Sequence, residues 1–462
     1  MEENVKESHE KSGVFSAIDV GTTKIVALVG RKNEEGRIEV LGMGEVAATG
    51  MAVGTVINAS LATKSIIRAV DLAREEAGCF PSNVVVGVAG RHVRSMTHST
   101  GLNRADSSLP ISKEDLEQLE MGAHNAPISY GEKIIDVIPI SYLIDNKETI
   151  SNPEGIGPCH RIDANFNVVY GKIDDLNLLQ QCIEGAGLIV GSICLEPIAS
   201  AKAVLNEEQR NNGVALIDIG GGTSDIAIFK DGKLRSVEIV SIAGNNITSD
   251  IAMSCDGMSF EVAESVKIGH GRAVADFAKD NVVLAYKTSS TDETKQLSIK
   301  TLAQIIQSRA EDIIDSAQFA IGTSPYGREL PEVVVTGGGA NLKDFTVLLK
   351  YKIAKKTSVK APTEVVLYKA GTFSDCRYST AVGLLMRAAE IYEQEHQNQE
   401  VVEETPVEEP SVLVEETEVV AVEAVKVEKK TKEHKKLGDR LRRGIDFIGK
   451  KLVDGLDRDD GL

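Results

Sequence analysis

Two short segments, about 200 residues apart, combine an aspartate with glycines and hydroxyl side chains. They are Asp19-Val20-Gly21-Thr22-Thr23-Lys24 and Asp218-Ile219-Gly220-Gly221-Gly222-Thr223-Ser224-Asp225. Glycine lets backbone N–H groups approach phosphate oxygens, the hydroxyls add donors, and Lys24 adds compensating charge. One such segment could equally be an ordinary hairpin turn, because turns use Gly and Thr routinely. Two of them favour nucleotide binding, since three consecutive glycines are costly in a strand turn.

The aspartates of the two segments indicate a metal ion. A carboxylate beside a phosphate is repelled unless a cation lies between them. We therefore expect Asp19 and Asp218 to hold a hydrated Mg²⁺ together, through the water ligands of the ion.

Both segments have the pattern of a strand, a turn and a second strand. SAIDVGTTKIVALVG (16–30) and GVALIDIGGGTSDIAIFKDGKL (213–234) alternate apolar and small residues around the turn. The repetition indicates an internal duplication, in which both hairpins face one cleft of a bilobed protein. Strand and helix patterns alternate over residues 14–389, including a helix over 59–77 with Asn58 as N-cap and Gly78 as its stop. The predicted fold class is α/β.

Composition excludes several classes of protein. The net charge of −18 and the absence of Trp argue against a nucleic-acid surface. The charged N-terminus and the lack of a run of 18 uncharged apolar residues predict a cytoplasmic protein without a membrane span. The 6 cysteines stand far apart, which favours reduced thiols over a disulfide framework or a zinc site.

Two contrasting segments follow the α/β region. Residues 393–428 carry 12 Glu against one Lys and predict a disordered linker, whereas residues 429–452 carry 10 Lys and Arg against 3 acids. Apolar residues recur every three or four positions in this basic tail, which predicts an amphipathic helix that orders on anionic lipid. Docking of this helix in a protein groove, or on its own body, is the alternative. The predicted membrane-binding residues are Leu437, Arg440, Leu441, Arg443, Ile445, Phe447, Ile448, Lys450, Lys451 and Leu452.

Four motifs carry a resemblance to a known superfamily. IDVGTTK, IDIGGGTSDIAIF, VVVTGGGANL (333–342) and YSTAVGLL (378–385) resemble, in this order, the two phosphate motifs, the adenosine motif and the second connecting motif of the actin, heat-shock chaperone and sugar-kinase superfamily. The helical segments 261–271 and 301–314, and the basic tail after an acidic linker, are similar to the FtsA family of bacterial cell-division proteins. This resemblance implies a bilobed actin-like ATPase fold.

The resemblance also assigns nucleotide contacts. The β- and γ-phosphates would be contacted from both lobes, by Gly21, Thr22, Thr23, Lys24, Gly220, Gly221, Gly222 and Thr223. The adenosine would lie against Gly337, Gly338 and Gly339. Glu264 and Lys267 would contact the ribose and the adenine, although their spacing equally fits an exposed helical ion pair.

Three further residues receive roles. Glu196, in a segment that resembles the first connecting motif, would position a water and act with Asp218 as a catalytic carboxylate; a surface acid at a strand end is the alternative. Arg309 interrupts an apolar stripe between Ile305 and Ile313. It matches the family position that binds the FtsZ C-terminal tail, and a snorkelling arginine is the alternative.

The resemblance divides the chain into six parts. They are a first lobe core (14–83 and 166–204), an inserted FtsA-type subdomain (84–165), a second lobe core (205–243 and 320–390), an accessory subdomain (244–319), the acidic linker (391–428) and the membrane-targeting tail (429–462).

The function implied is that of an ATP-controlled adaptor, with at most slow hydrolysis. It would polymerise head to tail, anchor the FtsZ ring to the inner face of the membrane at the division septum and contact later division proteins. A metabolic kinase or phosphatase, or a chaperone-like ATPase, is the alternative within the superfamily. A kinase, however, has no use for a disordered linker that ends in a lipid-binding helix.

Overall fold

The computed structural model describes residues 13–288, 293–363, 366–369 and 371–403. The predicted linker beyond Glu403 and the predicted membrane-targeting tail lie outside the described residues. The strands are β1 (Val14–Val20), β2 (Lys24–Lys32), β3 (Ile38–Ala47), β4 (Met51–Ala52), β5 (Thr55–Val56), β6 (Asn83–Val88), β7 (Arg94–Asn103), β8 (Glu132–Ile144), β9 (Glu148–Ile150), β10 (Arg161–Lys172), β11 (Ile189–Leu195), β12 (Val214–Ile219), β13 (Ser224–Lys230), β14 (Lys233–Val240), β15 (Val283–Lys287), β16 (Thr294–Ser298), β17 (Glu332–Thr336) and β18 (Lys356–Val359). The α-helices are α1 (Ala59–Ala77), α2 (Lys113–Ala123), α3 (Ile173–Gly185), α4 (Glu196–Val204), α5 (Glu207–Asn212), α6 (Gly244–Ser254), α7 (Phe260–His270), α8 (Ile299–Thr323), α9 (Phe345–Lys352) and α10 (Ser379–Glu403).

Two five-stranded sheets of equivalent topology form the cores of the two lobes. The first has the order β3-β2-β1-β6-β11 and the second the order β14-β13-β12-β17-β18. In each sheet the first three strands are antiparallel neighbours, and the last two run parallel to the central strand. The predicted hairpins, the duplicated halves and the α/β fold class are therefore confirmed.

Helix α1 has the predicted bounds because both of its ends carry strong local signals. The Asn58 side chain accepts a hydrogen bond from the Leu61 N–H at 3.1 Å, and Gly78 adopts φ +75° at the C-terminal cap. The helix lies close against β3, since a Cβ added to Gly44 would lie 1.8 Å from the Ala69 carbonyl oxygen. This packing covers one face of the first sheet.

Helices α4 and α10 cross between the two sheets. The apolar cluster around them draws residues from both sheets, such as Leu28 of β2 and Leu216 of β12. The helices approach so closely that a Cβ on Gly383 would lie 1.8 Å from the Ala199 carbonyl oxygen. The two segments predicted to connect the lobes therefore share one buried interface.

The inserted subdomain, residues 94–172, differs from its predicted bounds of 84–165. Its sheet has the order β7-β10-β8-β9 and packs against α2 around its own apolar cluster. β6, placed in the insertion by the sequence analysis, lies instead between β1 and β11 in the first lobe, because its valines are buried by both neighbouring strands. The insertion was predicted to end at 165, which lies within β10, but this strand continues to Lys172 and stays paired with β8, with two shifts of register. The second segment of the first lobe therefore begins after Lys172 and not at 166.

The accessory part of the second lobe contains α6, α7, α8 and the hairpin of β15 and β16. Helix α7 matches the predicted segment 261–271 within one residue, and α8 is longer at both ends than the predicted 301–314. The six cysteines are free thiols, as predicted.

Helix α10 extends into the predicted linker. Residues 391–403 are helical, although the linker was predicted to begin at 391. These residues are mostly Glu, Gln and other good helix formers, with no Gly or Pro, so a helix packed at its start continues through them. Among the described residues, no helix has the length and hydropathy needed to cross a membrane.

Candidate functional site

A cleft of about 1790 Å³ lies between the lobes. All the predicted nucleotide-contacting, metal-holding and catalytic residues line it, although they come from distant parts of the chain. They are Asp19, Gly21, Thr22, Thr23, Lys24, Glu196, Asp218, Gly220, Gly221, Gly222, Thr223, Glu264, Lys267, Gly337, Gly338 and Gly339. The fold therefore gathers the predicted site in one place.

The turns of the two hairpins face each other across the cleft. A Cβ on Gly221 would lie 2.3 Å from Thr23 Cγ2, and a Cβ on Gly222 would lie 2.6 Å from Thr22 Oγ1. Contacts this short exclude any larger residue at either glycine while the hairpins keep these positions. The glycines thus let the backbone of the second turn come close to Thr22 and Thr23 of the first.

Two buried aspartates, one in each lobe, stand behind these turns. Asp19 accepts a hydrogen bond from Lys24 Nζ at 3.0 Å and is almost fully buried. Asp218 accepts hydrogen bonds from the Ser200 hydroxyl of α4 and from Thr380 Oγ1 of α10, the latter at 3.2 Å. The helices that join the lobes therefore hold the Asp218 carboxyl in place.

Glu196 is the first residue of α4, and its carboxyl group faces the cleft rather than the protein surface. Burial raises its pKa well above the usual carboxyl range, and the nearby carboxylates of Asp19, Asp225 and Asp218 raise it further. Burial also raises the pKa of Asp218, with a further contribution from Asp19. The surface-acid interpretation of Glu196 is therefore wrong.

Asp225 is a cleft residue that the sequence analysis did not assign. It lies on β13 directly opposite Asp218 on β12, and its Oδ1 is buried without a hydrogen-bond partner. Burial and the neighbouring Asp218 raise its pKa well above the usual range. The register of the predicted hairpin could have revealed it, because residues 218 and 225 are a cross-strand pair and share one face of the sheet.

Four carboxyl groups and one lysine at the base of the cleft fit a cation that is held through water. In the part of the chain that the structure describes, no group of three or more His, Cys, Asp or Glu side chains is placed to ligate a metal directly. The unpartnered oxygen of Asp225 and the raised pKa values nevertheless show that positive charge would stabilise this cluster. A hydrated Mg²⁺, which usually retains several waters, meets both observations.

The third glycine segment packs against the second hairpin. Gly337 adopts φ +85°, and a Cβ on it would lie 2.2 Å from Asp218 Oδ1. A Cβ on Gly339 would lie 2.4 Å from Ile219 Cγ2. Glycine is thus required for β17 to end beside the carboxylates and for the segment to form a wall of the cleft.

Glu264 and Lys267 form an ion pair, with 2.6 Å between Lys267 Nζ and Glu264 Oε2. Lys267 Nζ also donates to Thr248 Oγ1 at 2.8 Å and to the Gly244 carbonyl oxygen at 3.1 Å. The pair is thus part of a network in the cleft wall and not a fully exposed surface pair, because the Lys267 side chain is only 12% exposed.

The N-terminus of α6 is a second feature that the sequence analysis missed. Its first N–H groups, from Gly244 and Asn245, donate to the carbonyl oxygens of Gly220 and Gly221 at 3.1 and 2.7 Å. These bonds fix the second hairpin to the accessory part of the second lobe. They join residues more than 20 positions apart in the sequence.

Arg309 lies on α8 and does not line the cleft. Its Nε and Nη2 donate to the Asp250 carboxylate of α6 at 2.6 and 3.2 Å, and its Nη1 donates to Asp312 at 3.1 Å. The side chain is 29% exposed. It is therefore a paired, partly exposed cation that joins two helices, and not simply a snorkelling side chain.

Comparison with known proteins identifies the family. The family described as "Cell division protein FtsA" matches residues 215–383, and "SHS2 domain inserted in FTSA" matches residues 90–170. The cell division protein FtsA of Pseudomonas aeruginosa is 33% identical over 386 residues, which cover 82% of this chain and 90% of that protein. The chain belongs to the FtsA family. The FtsA of Bacillus subtilis is 28% identical over 376 residues, covering 81% of this chain and 83% of that protein.

Solved structures show the actin-like fold of this FtsA-family chain. A PilM–PilN type IV pilus biogenesis complex matches with a TM-score of 0.58 at 16% identity, covering 81% of this chain and 98% of that chain. MreB5 of Spiroplasma citri bound to ADP matches with a TM-score of 0.51 at 14% identity, covering 83% and 99%. At these identities the likeness concerns the fold alone.

The raised pKa of Asp225 predicts a pH-dependent gain in stability for Asp225→Asn. The folded protein binds the Asp225 proton more tightly than the unfolded chain, so the wild-type free energy of unfolding falls as pH rises from about 4 through the folded pKa. Asparagine removes this loss, so the variant should be more stable than the wild type at pH 7, and the difference should shrink toward pH 4. Urea unfolding without Mg²⁺ measures it. The exposed Asp280→Asn is the control, and equal behaviour of the two variants would contradict the raised pKa.

Proposed function

We propose that the cleft binds ATP together with Mg²⁺. The observation that carries this proposal is the approach of two glycine-containing turns from opposite lobes, in front of buried carboxyl groups. The phosphates would be bound from the first lobe by backbone N–H groups, Thr22, Thr23 and Lys24. The second glycine turn would bind them from the other lobe. The segment 337–339 and the Glu264–Lys267 pair would contact the adenosine.

The carboxyl groups supply the other half of the site. Asp19, Asp218 and Asp225 would accept hydrogen bonds from waters of the ion, and Mg²⁺ would neutralise phosphate charge when bound. Positive charge beside Asp218 and Asp225 lowers their raised pKa values, so binding of the metal releases protons and strengthens as pH rises. Glu196, at the partly accessible base of the cleft, would orient a water near the terminal phosphate. We expect at most slow hydrolysis.

Lys24→Met tests the placement of the phosphates. Loss of a charge-assisted hydrogen bond should weaken Mg-ATP binding about 10- to 100-fold, as measured by titration calorimetry. Lys32→Met, at the opposite end of β2 where Lys32 pairs with Glu393, is the matched control and should leave the affinity unchanged. An equal affinity for both variants would place the triphosphate elsewhere.

The second part of the proposal is an adaptor role in cell division. Membership of the FtsA family supports head-to-tail polymerisation, in which ATP closes the cleft, and recruitment of the FtsZ C-terminal peptide. Arg309 supports the peptide site because it is a partly exposed cation between apolar residues of α8. An acidic peptide would compete with Asp250 for the guanidinium group. The inserted subdomain would take part in self-assembly and contact later division proteins.

Arg309→Glu should lower the affinity for the FtsZ C-terminal peptide by at least about 100-fold, because it replaces a binding cation with a repelling anion. Fluorescence anisotropy with a labelled peptide measures this. Asp250→Asn is the matched variant, since it also removes the ion pair between α6 and α8 but keeps the cation, which still pairs with Asp312 on its own helix. It should bind the peptide at least as tightly as the wild type. Loss of binding in both variants would show that helix packing, and not the charge at 309, is required.

The third part of the proposal is membrane attachment through the basic tail. The sequence pattern of residues 435–456 supports it, since a helix formed there would present Leu437, Leu441, Ile445, Ile448 and Leu452 on one side and basic residues elsewhere. Lipid binding through this tail would place the protein on the cytoplasmic side of the membrane, at the septum where FtsZ assembles.

Deletion of residues 435–462 should abolish cosedimentation with vesicles that contain anionic lipid, while the affinity for Mg-ATP stays unchanged. The physical reason is the loss of both the apolar stripe and its basic residues, each of which adds up to about 1 kcal/mol near such a surface. Vesicles of neutral lipid should retain little of the full-length chain. Undiminished sedimentation of the truncated protein would assign membrane binding to another part of the chain.

A further inference from the structure

The inserted subdomain contacts both lobes. Its chain leaves the first lobe after β6 and returns to it at α3, while its strands β7 and β8 pack against β14. β14 is an edge strand of the second-lobe sheet, and such strands carry unpaired backbone groups. The inserted subdomain covers this edge. It therefore spans the two bodies whose separation sets the width of the cleft.

Arg235 of β14 is the central residue of this contact, with a side chain only 6% exposed. Its guanidinium donates to the Ile140 carbonyl oxygen of β8, in the inserted subdomain. Within the second lobe it donates to the Lys230 carbonyl oxygen at 3.1 Å and to the Asp231 carboxylate at 2.7 Å, and it lies 5.5 Å from the centre of the Tyr326 ring. The planar group is thus fixed on the second lobe with one donor directed at the insertion.

Two further polar contacts flank Arg235. Lys233 Nζ donates to the Ser151 carbonyl oxygen and lies 5.2 Å from the centre of the Tyr142 ring, both in the inserted subdomain. Ser95 Oγ of β7 donates to the Val237 carbonyl oxygen of β14 at 2.9 Å. The contact therefore extends along β14 and involves three separate parts of the insertion.

Apolar packing joins the same three bodies. Ile138 of β8 and Ile239 of β14 pack against a cluster that also contains Val88 and Leu195 of the first lobe. A change in the angle between the lobes would shear this cluster, because packed interiors do not deform continuously.

We propose that this contact is a brace, formed by Ser95, Ile140 and Ser151 of the inserted subdomain with Lys233, Arg235 and Val237 of β14. The brace couples cleft opening to the position of the inserted subdomain. Its effect on nucleotide binding rests on the proposed function. Since the insertion is joined to the first lobe at both ends, separation of the lobes either breaks these bonds or moves the insertion. By linkage, a partner that holds the insertion in one position changes nucleotide affinity, and nucleotide changes the affinity for that partner.

The test is the rate at which a fluorescent ATP analogue, bound with Mg²⁺, leaves the full-length chain. Arg235→Met should raise this rate about five-fold or more and increase hydrogen exchange in β8 and β14. Lys230→Met is the matched control on the neighbouring strand β13. It removes an ion pair with Glu329 that lies wholly within the second lobe, so it should change neither quantity.

Each outcome decides the proposal. Release from Arg235→Met at the wild-type rate overturns the brace and leaves nucleotide binding intact. A wild-type chain that binds no analogue overturns the proposed function, and with it the coupling. If Arg235→Met shows no cooperative unfolding transition, the double variant Ser95→Ala with Lys233→Met replaces it under the same criterion.

Discussion

The structure depends on the burial of several carboxyl groups at the base of one cleft, where Lys24 pairs with Asp19. Burying like charges is unfavourable, and the raised pKa values of Glu196, Asp218 and Asp225 express that cost. A fold retains such a cluster when a bound cation compensates it. The proposed magnesium would provide this compensation, and the surrounding glycine turns would offer N–H donors to the phosphates that bring the metal there.

The second constraint is that backbone segments must approach one another closely, and it follows from the burial of the carboxyl groups in one cleft. The two turns, the segment 337–339 and the crossing of α4 with α10 all require glycine where a Cβ would meet another backbone or side-chain atom. The crossing helices carry Ser200 and Thr380, whose hydroxyls bond Asp218, so the interface that joins the lobes also orients the carboxyl group at the site. Relative movement of the lobes is thereby connected to the chemistry of the cleft.

The sequence was most informative where local signals act alone. The hairpins, the duplication and the ends of α1 follow from alternation, glycine turns and caps, all of which operate within a few residues. The predicted bounds of the insertion were wrong because β6 and β10 pair with strands that lie up to about 100 residues away in the sequence. Three other contacts could not be predicted because they also join residues that are distant in the sequence. They are the pairing of Arg309 with Asp250, the brace at Arg235 and the bonds from α6 to the second turn. Asp225 could have been predicted from the sequence, since hairpin register alone places it opposite Asp218.

A crystal structure with Mg²⁺ and a non-hydrolysable ATP analogue would show where the triphosphate and the metal bind. We expect the β- and γ-phosphates between the turns at 21–24 and 220–223, with the metal linked through water to Asp19 and Asp218. A triphosphate bound outside this gap, or a metal with no water-mediated link to either aspartate, would contradict this expectation.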